Sequence, residues 1–272
     1  MERFQILCVT MHQKDFSKIK EMNIHSDVVF ANQCDETRYE TLEFEGHRAE
    51  MISTATRGVG INRNLAQSYS SGDICLIADD DLTYHDDVEQ VVLGEFAAHP
   101  DADVFIFHLD TTDPVRKQNR YAETRKCGPL TRMPWAAFRI AYRRSAIQKA
   151  NLWFTTLMGG GCLFPSGEDS LWLHEAKRKG LTFYVSKETI GTVSFENSTW
   201  FDGHNEKFFF GKGAYIAALH PKQFFFWKWY MLYRYRKAGN LSAAQKLQWI
   251  KRGRDGFLHL TPYAEYRKQP EE

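Results

Sequence analysis

The sequence lacks any paired arrangement of cysteines and any long apolar run. Its five cysteines are scattered and never spaced as C-x-x-C, which argues against a disulfide framework and a zinc site. No apolar stretch approaches the roughly 20 residues that a membrane-spanning helix needs. The first apolar stretch, residues 4–9, is also too short for a signal peptide. We therefore expect a chain that is not translocated and that stays in the reducing cytoplasm.

Acidic residues are absent from one long segment. Between Lys222 and Arg254 the chain has nine lysines or arginines and no aspartate or glutamate, with many aromatic residues among them. This composition predicts a module that faces an anionic membrane surface. The alternative is a helix that packs on the protein while its cations reach solvent. No nucleic-acid-binding motif accompanies the basic residues, so a nucleic-acid partner is not predicted.

Apolar runs alternate with helix-like segments over the first two thirds of the chain. Strand patterns cover residues 4–10, 28–31, 74–78, 104–108 and 181–185, and helix patterns cover residues 16–22, 61–69, 88–98 and 170–179. This order predicts an α/β fold, in which a mainly parallel sheet carries helices on both faces. We expect two domains, residues 1–207 and a helical, basic and aromatic appendage at residues 208–272.

Three consecutive aspartates, Asp79, Asp80 and Asp81, follow the third predicted strand. Carboxylates clustered where the backbone leaves a hydrophobic core repel one another unless a cation offsets their charge. Side chains alternate along a strand, so Asp79 and Asp81 are expected on one side and Asp80 on the other. Two hard oxygen ligands suit Mn²⁺ or Mg²⁺. The alternative is a solvated acidic corner between a strand and a loop.

A second pair of acids, Glu168 and Asp169, opens the predicted helix 170–179 and follows a glycine triplet at residues 159–161. Ser166, three residues before Asp169, matches a capping box, so helix capping is one interpretation. The other interpretation is catalytic. The helix dipole keeps a carboxylate at a helix N-terminus ionised, and such a group can accept a proton from a hydroxyl nucleophile.

Together these segments resemble a known enzyme family. Residues 58–66, GVGINRNLA, and residues 71–81, SGDICLIADDD, look like the central block of family 2 glycosyltransferases of the GT-A fold, and residues 167–169 resemble the E-D motif of that family. The resemblance implies that Asp79 and Asp81 hold Mn²⁺ or Mg²⁺ on a nucleotide-diphosphate sugar, with Asp80 beside it. It also implies that Asp169, next to Glu168, is the catalytic base.

The same resemblance implies how the nucleotide is bound. Thr10, at the end of the first strand, and Asn32, at the end of the second, match positions that line the nucleotide base in the family. Arg57, Arg63 and Asn64 match the region beside the nucleotide and its phosphates. For Arg63 the alternative is an ordinary exposed cation on a helix.

Two residues beyond the acid pair are further candidates. His204 could complete the metal shell, or it could belong to a loop that meets the acceptor. Trp200 could stack on an acceptor sugar, although most tryptophans simply pack in the protein.

The predicted function is metal-dependent, inverting transfer of a sugar from a nucleotide-diphosphate donor. The resemblance also implies that the acceptor is a hydroxyl of a bacterial surface polysaccharide or a lipid-linked oligosaccharide, and we expect the enzyme in the cytoplasm, at the inner face of the plasma membrane. One alternative is a nucleotidyltransferase, although residues 10–17 contain no glycine for the usual phosphate loop. Another is a non-catalytic carbohydrate-binding protein of the same fold.

Overall fold

The computed structural model describes residues 2–113, 120–128, 131, 136–194 and 203–268, and the chain divides into two compact units. The first unit consists of Met1–Arg57, Ile61–Phe154 and Trp172–Asn197. The second consists of Gly58–Gly60, Thr155–Leu171 and Ser198–Glu272. The predicted domain boundary at residue 207 stays a prediction.

One ten-stranded sheet organises the first unit, in the order β3-β4-β2-β1-β5-β9-β7-β10-β6 with β8 paired to β10. The strands are β1 Phe4–Met11, β2 Asp27–Gln33, β3 Arg38–Phe44, β4 His47–Thr54, β5 Ile74–Asp79, β6 Leu82–Tyr84, β7 Val104–Thr111, β8 Arg125–Lys126, β9 Ile140–Arg143 and β10 Phe183–Val193. The helices up to residue 178 are α1 Lys18–Glu21, α2 Val59–Ser68, α3 Val88–Ala98, α4 Arg144–Lys149 and α5 Glu168–Arg178.

The sheet has the predicted parallel core, to which antiparallel strands are added that the sequence did not indicate. Strands β4, β2, β1 and β5 are parallel neighbours, but β9 pairs antiparallel with both β5 and β7. The hairpin of β3 and β4 was not predicted, because β3 is short of buried apolar residues. Its turn is made by Glu45 and Gly46, both with positive φ, as a two-residue hairpin of the primed type requires.

Helices cover both faces of the sheet, as predicted. Successive residues of a strand point to opposite faces, so β1 contributes to two separate cores. Ile6 joins Val92 and Phe96 of α3 in one core, whereas Leu7 joins Trp172 of α5 in the other. Strands buried on both faces read as continuous apolar runs, and this is why they were recognisable in the sequence.

The second unit is helical, which confirms the predicted character of the carboxyl-terminal region. Its further helices are α6 Glu206–Leu219, α7 Phe224–Arg234, α8 Ala243–His259 and α9 Tyr263–Arg267. Helix α8 starts with a complete capping box between Ser242 and Gln245, an arrangement that satisfies two otherwise unpaired amides. Phe209 and Phe210 of α6 and Trp249 of α8 are buried in the core of this unit.

Helices α6 and α8 approach each other through glycines. A Cβ atom added at Gly213 would lie 2.0 Å from the carbonyl oxygen of Ile250, and one added at Gly253 would lie 1.9 Å from that of Phe210. Both contacts are with backbone atoms, which cannot swing away as a side chain would. Only glycine at these two positions allows the two helices to pack at this distance.

We expect Gly253→Ala to lower the free energy of unfolding by about 2–3 kcal/mol, because the helices must separate to admit the methyl group. Urea denaturation measures this loss. The control is Gly94→Ala in α3, where an added Cβ meets nothing within 4 Å; it should be neutral or stabilise by about 0.5–1 kcal/mol. Equal effects of the two substitutions would contradict the close helix packing.

Candidate functional site

The three aspartates lie at the carboxyl edge of the parallel part of the sheet. Asp79 is the last residue of β5 and lies opposite Val9 of β1, while Thr10 lies opposite Asn32 of β2. The ends of parallel strands are where open α/β sheets bind ligands. The structure therefore brings Thr10, Asn32 and Asp79 to one edge.

Polar groups of the first unit partly offset the charge of the aspartates. The Thr10 hydroxyl donates a hydrogen bond to the carboxylate of Asp80, and the Lys18 ammonium donates to the backbone oxygen of Asp80 over 3.2 Å. The guanidinium of Arg63 pairs with the carboxylate of Asp79 at 3.1 Å. Lys18 was not predicted, since nothing in the sequence links α1 to residue 80.

Arg63 is buried, so its alternative interpretation as an exposed helix cation is wrong. It is only 5% exposed, and its guanidinium carbon lies 5.3 Å from the centre of the Phe154 ring. Its neighbour Asn62 was missed in the sequence. The Asn62 amide donates to the backbone oxygens of Thr10 at 3.3 Å and Ala31 at 2.7 Å. These bonds attach α2 to the ends of β1 and β2.

Asp81 has one carboxylate oxygen that differs from the rest of the triplet. Its Oδ1 atom is buried and has no hydrogen-bond partner among the residues that the structure describes. Burial, followed by repulsion from Asp79 and Asp80, raises the pKa of Asp81 to about 6. Burial also raises the pKa values of Cys8 and Tyr84 well above their ordinary values, so neither side chain adds a charge. A carboxylate oxygen in this position fits coordination to a cation.

A metal site made by the protein alone is not evident. Within the described ranges, no three histidine, cysteine, aspartate or glutamate side chains form a group that could hold a metal ion. His204 packs against Phe208 and Tyr235, with ring centres 4.7 and 5.5 Å apart. Burial, then Lys212 and Lys246, lowers the pKa of His204. Its proposed role as a ligand stays a prediction, and Trp200 lies outside the described residues.

Asn32 is fully buried, and both ends of its amide are occupied. Its oxygen accepts from the Gln13 amide at 3.0 Å, and its nitrogen donates to the Gln13 carbonyl at 2.9 Å and to the Ser53 hydroxyl at 3.0 Å. Asn32 thus fixes the turn that follows β1. Its predicted contact with a nucleotide base stays a prediction.

Two other predicted phosphate-side residues make internal contacts. Arg57 pairs with the Asp35 carboxylate at 2.6 Å and donates to the Cys34 carbonyl at 3.0 Å. Asn64 bonds both backbone groups of Phe154, donating to its oxygen at 2.9 Å and accepting from its nitrogen at 2.8 Å. Arg57 is exposed, and both residues stay candidates for the nucleotide side of the site.

The second acid pair opens α5, and the helix starts one residue later than a cap by Ser166 would require. The amide of Leu171 donates to the carbonyl of Gly167 at 2.9 Å, so Gly167 is the residue that precedes the helix. Ser166 is therefore one position too early to cap it. Asp169 lies in the first turn of α5, where the helix dipole favours its ionised form.

Glu168 is held by glycines of the second unit. Its carboxylate accepts from the amide of Gly167 at 3.1 Å, and a Cβ at Gly159 would lie only 2.9 Å from its carboxyl carbon. Lys212 of α6 also faces this region. Burial, then the charge of Arg234, lowers the pKa of Lys212, whereas the charge of Glu168 raises it. The acid pair thus has a cation nearby that the sequence did not reveal.

A family model and several solved structures match this chain. The family model described as "Glycosyl transferase family 2" matches residues 22–164, just over half of the chain. A crystal structure of S. aureus TarS 1–349 matches with a TM-score of 0.58 and 13% identity, covering 96% of this chain and 93% of that one. A second, in complex with UDP, gives 0.57 and 15%, covering 94% and 70%.

A third TarS 1–349 structure, in complex with UDP-GlcNAc, has a TM-score of 0.54 and 14% identity, covering 97% of this chain and 77% of that one. No curated protein sequence gives a significant match. Among the described residues, no helix combines the length and the apolar character that crossing a bilayer requires. The matches confirm the predicted GT-A fold, and the chain belongs to glycosyl transferase family 2, whose members are glycosyltransferases that use nucleotide sugars.

Proposed function

We propose that this glycosyltransferase moves a sugar from a nucleoside diphosphate to a hydroxyl of a polysaccharide or a lipid-linked oligosaccharide, with inversion of configuration. The observation that carries the proposal is the buried Oδ1 atom of Asp81, which has no hydrogen-bond partner among the described residues and lies next to Asp79 and Asp80 at the carboxyl edge of the sheet. A fold that leaves this oxygen without a hydrogen bond in its described part is suited to a ligand that arrives with a cation. A nucleoside diphosphate with a divalent metal ion is such a ligand.

Asp79 and Asp81 would hold Mn²⁺ or Mg²⁺ in this proposal. When bound, the metal ion would neutralise charge on the diphosphate leaving group. Arg63 keeps Asp79 in place through the 3.1 Å ion pair, and its burial behind that carboxylate prevents it from turning to solvent. The Thr10 hydroxyl holds Asp80. The first two carboxylates of the triplet, Asp79 and Asp80, are therefore positioned before any ligand binds, which lowers the cost of ordering them.

The nucleotide is proposed to be uridine diphosphate, supported by the complexes of TarS with UDP and UDP-GlcNAc. The turn after β1 would form one wall of the base site, since Asn32 fixes the backbone of Gln13. Thr10 lies in the strand just before that turn. Arg57, Arg63 and Asn64 are proposed on the phosphate side.

Asp169 is proposed as the general base. It would take the proton of the acceptor hydroxyl while the oxygen forms a bond to the anomeric carbon and the bond from that carbon to the diphosphate oxygen breaks. A single displacement of this kind inverts the anomeric centre. Glu168 would not replace it, because its carboxylate is engaged with the amide of Gly167.

The acceptor is proposed to be presented at the inner face of the plasma membrane, with the enzyme a peripheral protein of the cytoplasm. His204 and Trp200 stay candidates for the acceptor side. The family match favours glycosyl transfer over the nucleotidyltransferase alternative. Release of UDP from a panel of UDP-sugars would separate a transferase from a non-catalytic carbohydrate-binding protein, since only the enzyme turns the donor over.

The charge state of Asp81 should govern stability in metal-free buffer. Its folded pKa of about 6 lies above the ordinary value of 3.8, so stability from this group is present below about pH 4 and is lost as the pH rises through 6. At pH 8, Asp81→Asn should therefore raise the free energy of unfolding by about 1 kcal/mol, after allowance for partial exposure, and the melting temperature by about 2–4 °C. At pH 4 the melting temperature should change little.

Thermal unfolding with a chelator present measures this effect. The control is Glu123→Gln, which removes the same charge from an exposed position of the first unit and should change the melting temperature equally little at both pH values. If Asp81→Asn and the parent protein melted at the same temperature at pH 8, ionisation of Asp81 would not destabilise the fold.

The metal-site proposal predicts a loss of nucleotide affinity. We expect Asp81→Ala to abolish Mn²⁺-dependent binding of UDP and Asp79→Ala to weaken it at least roughly tenfold, because both carboxylates share one cation. Calorimetry with UDP, with and without Mn²⁺, measures this, and Glu123→Ala is the matched control. Unchanged affinity in both aspartate variants would exclude the site.

Asp169→Asn separates a catalytic carboxylate from one that only favours the helix. It should lower turnover by roughly 10²- to 10⁴-fold with nearly unchanged UDP affinity, and it should cost about 1 kcal/mol of stability or less. Product formation and calorimetry on one preparation give both quantities. Glu168→Gln should lose less turnover. If Asp169→Asn kept its transfer rate and only melted earlier, another residue would have to be the base.

A further inference from the structure

Five large aromatic side chains lie exposed along one side of α7. They are Phe225, Phe226, Trp229, Tyr230 and Tyr233, with exposed fractions of 61, 72, 46, 40 and 66%. Their spacing of i, i+1, i+4, i+5 and i+8 places them within one face of a helix that turns by about 100° per residue. We call these five residues the aromatic face. A contiguous apolar patch on a soluble surface marks an interaction site.

The opposite side of α7 packs on the second unit. Phe224 and Met231 are only 6 and 8% exposed. The buried ammonium of Lys246 donates to the carbonyl oxygens of Tyr235 and Arg236, at 3.1 and 3.3 Å, just beyond the end of the helix. Packing thus explains one side of α7 and its orientation, but it leaves the aromatic face without a partner in the described chain.

Positive charge is interleaved with the aromatic face. The Lys228 ammonium lies 4.6 Å from the centre of the Phe225 ring and 5.5 Å from that of Trp229. The Arg236 guanidinium lies 4.4 Å from the Tyr233 ring. No acidic residue occurs between residues 222 and 254. The partner of this face must therefore accept rings and tolerate several cations, so it must be both amphipathic and anionic.

We infer that the aromatic face of α7 binds the headgroup region of a bilayer that contains anionic phospholipids. Tyrosine and tryptophan rings suit that boundary, and anionic headgroups attract the flanking cations. With 11 residues, α7 is about 16 Å long, half of the roughly 30 Å hydrocarbon core, so it would lie in the interface. A second copy is disfavoured, because two such faces would bring like charges together.

This inference builds on the proposed function only in explaining how the enzyme meets a lipid-linked acceptor. Flotation of the full chain tests it without any sugar donor, using vesicles of phosphatidylcholine alone or with phosphatidylglycerol added. We expect binding to the anionic vesicles only, and we expect it to fall several-fold when salt is raised, since salt screens surface charge within about 10 Å. The variant Phe225→Ser/Phe226→Ser/Trp229→Ser should lower the bound fraction roughly tenfold or more.

A second variant tests the charges separately. Lys222→Glu/Lys228→Glu/Lys237→Glu should abolish the preference for anionic vesicles while the protein stays folded. The matched control is Trp153→Ser, since Trp153 is 48% exposed in the first unit, close to the 46% of Trp229. It should bind as the parent protein does, whereas Trp229→Ser should bind less.

Three results would overturn the inference: no flotation of the parent protein at low salt, unchanged flotation of the triple serine variant, or a self-association of the parent protein that this variant abolishes in the absence of lipid. The UDP affinity of the triple serine variant is measured in parallel and should be unchanged. Loss of vesicle binding with intact UDP affinity separates a failure of this surface from a failure of the proposed activity.

Discussion

Burial of negative charge at the end of β5 is the constraint on which the candidate site depends. The three carboxylates lie at the end of a strand whose apolar residues are buried on both faces, and each of them is partly buried. A neighbouring polar group contacts each of the first two carboxylates: Arg63 pairs with Asp79, and the Thr10 hydroxyl donates a hydrogen bond to Asp80. Asp81 keeps one buried oxygen that has no hydrogen-bond partner in the described part of the chain. This oxygen is the observation on which the proposed cation site rests.

The groups that meet this constraint come from distant parts of the sequence and are themselves held in place. Asn62 fixes α2 to the ends of β1 and β2 through the carbonyls of Thr10 and Ala31. The same helix then carries Arg63 to Asp79. The buried amide of Asn62 therefore sets the position of Arg63 relative to the strand ends. Two adjacent residues at the start of α2 thus have separate roles.

In the second unit, glycine residues make room for close contacts. At Gly213 and Gly253 the absence of a side chain lets α6 and α8 pack backbone to backbone. At Gly159 it leaves room for the carboxylate of Glu168. Close packing of α6 also brings Lys212 near the acid pair, where burial lowers the pKa of the lysine and Glu168 raises it. The second unit therefore holds both the acid pair and a lysine whose pKa responds to it.

The sequence by itself determined the α/β class, the strands that are buried on both faces, the helical carboxyl-terminal region and the family. These features follow from local composition and from motifs whose residues are close in the chain. It did not reveal the β3–β4 hairpin, whose strand β3 is polar and exposed, or the antiparallel insertion of β9. It also suggested a capping role for Ser166 that the start of α5 at Glu168 corrects.

Only the tertiary structure decided which polar residues meet. The sequence left Arg63 open between a phosphate contact and an exposed cation, and burial of its guanidinium beside Asp79 excluded the second. The sequence gives no local signal that Lys18 meets Asp80, that Asn62 meets Ala31 or that Lys212 lies near Glu168, because these pairs are between 31 and 62 residues apart along the chain. The exposure of the aromatic face of α7 was equally undetermined. Hydrophobic periodicity shows which side of a helix can be buried, but an aromatic helix offers two such sides, and only packing selects one.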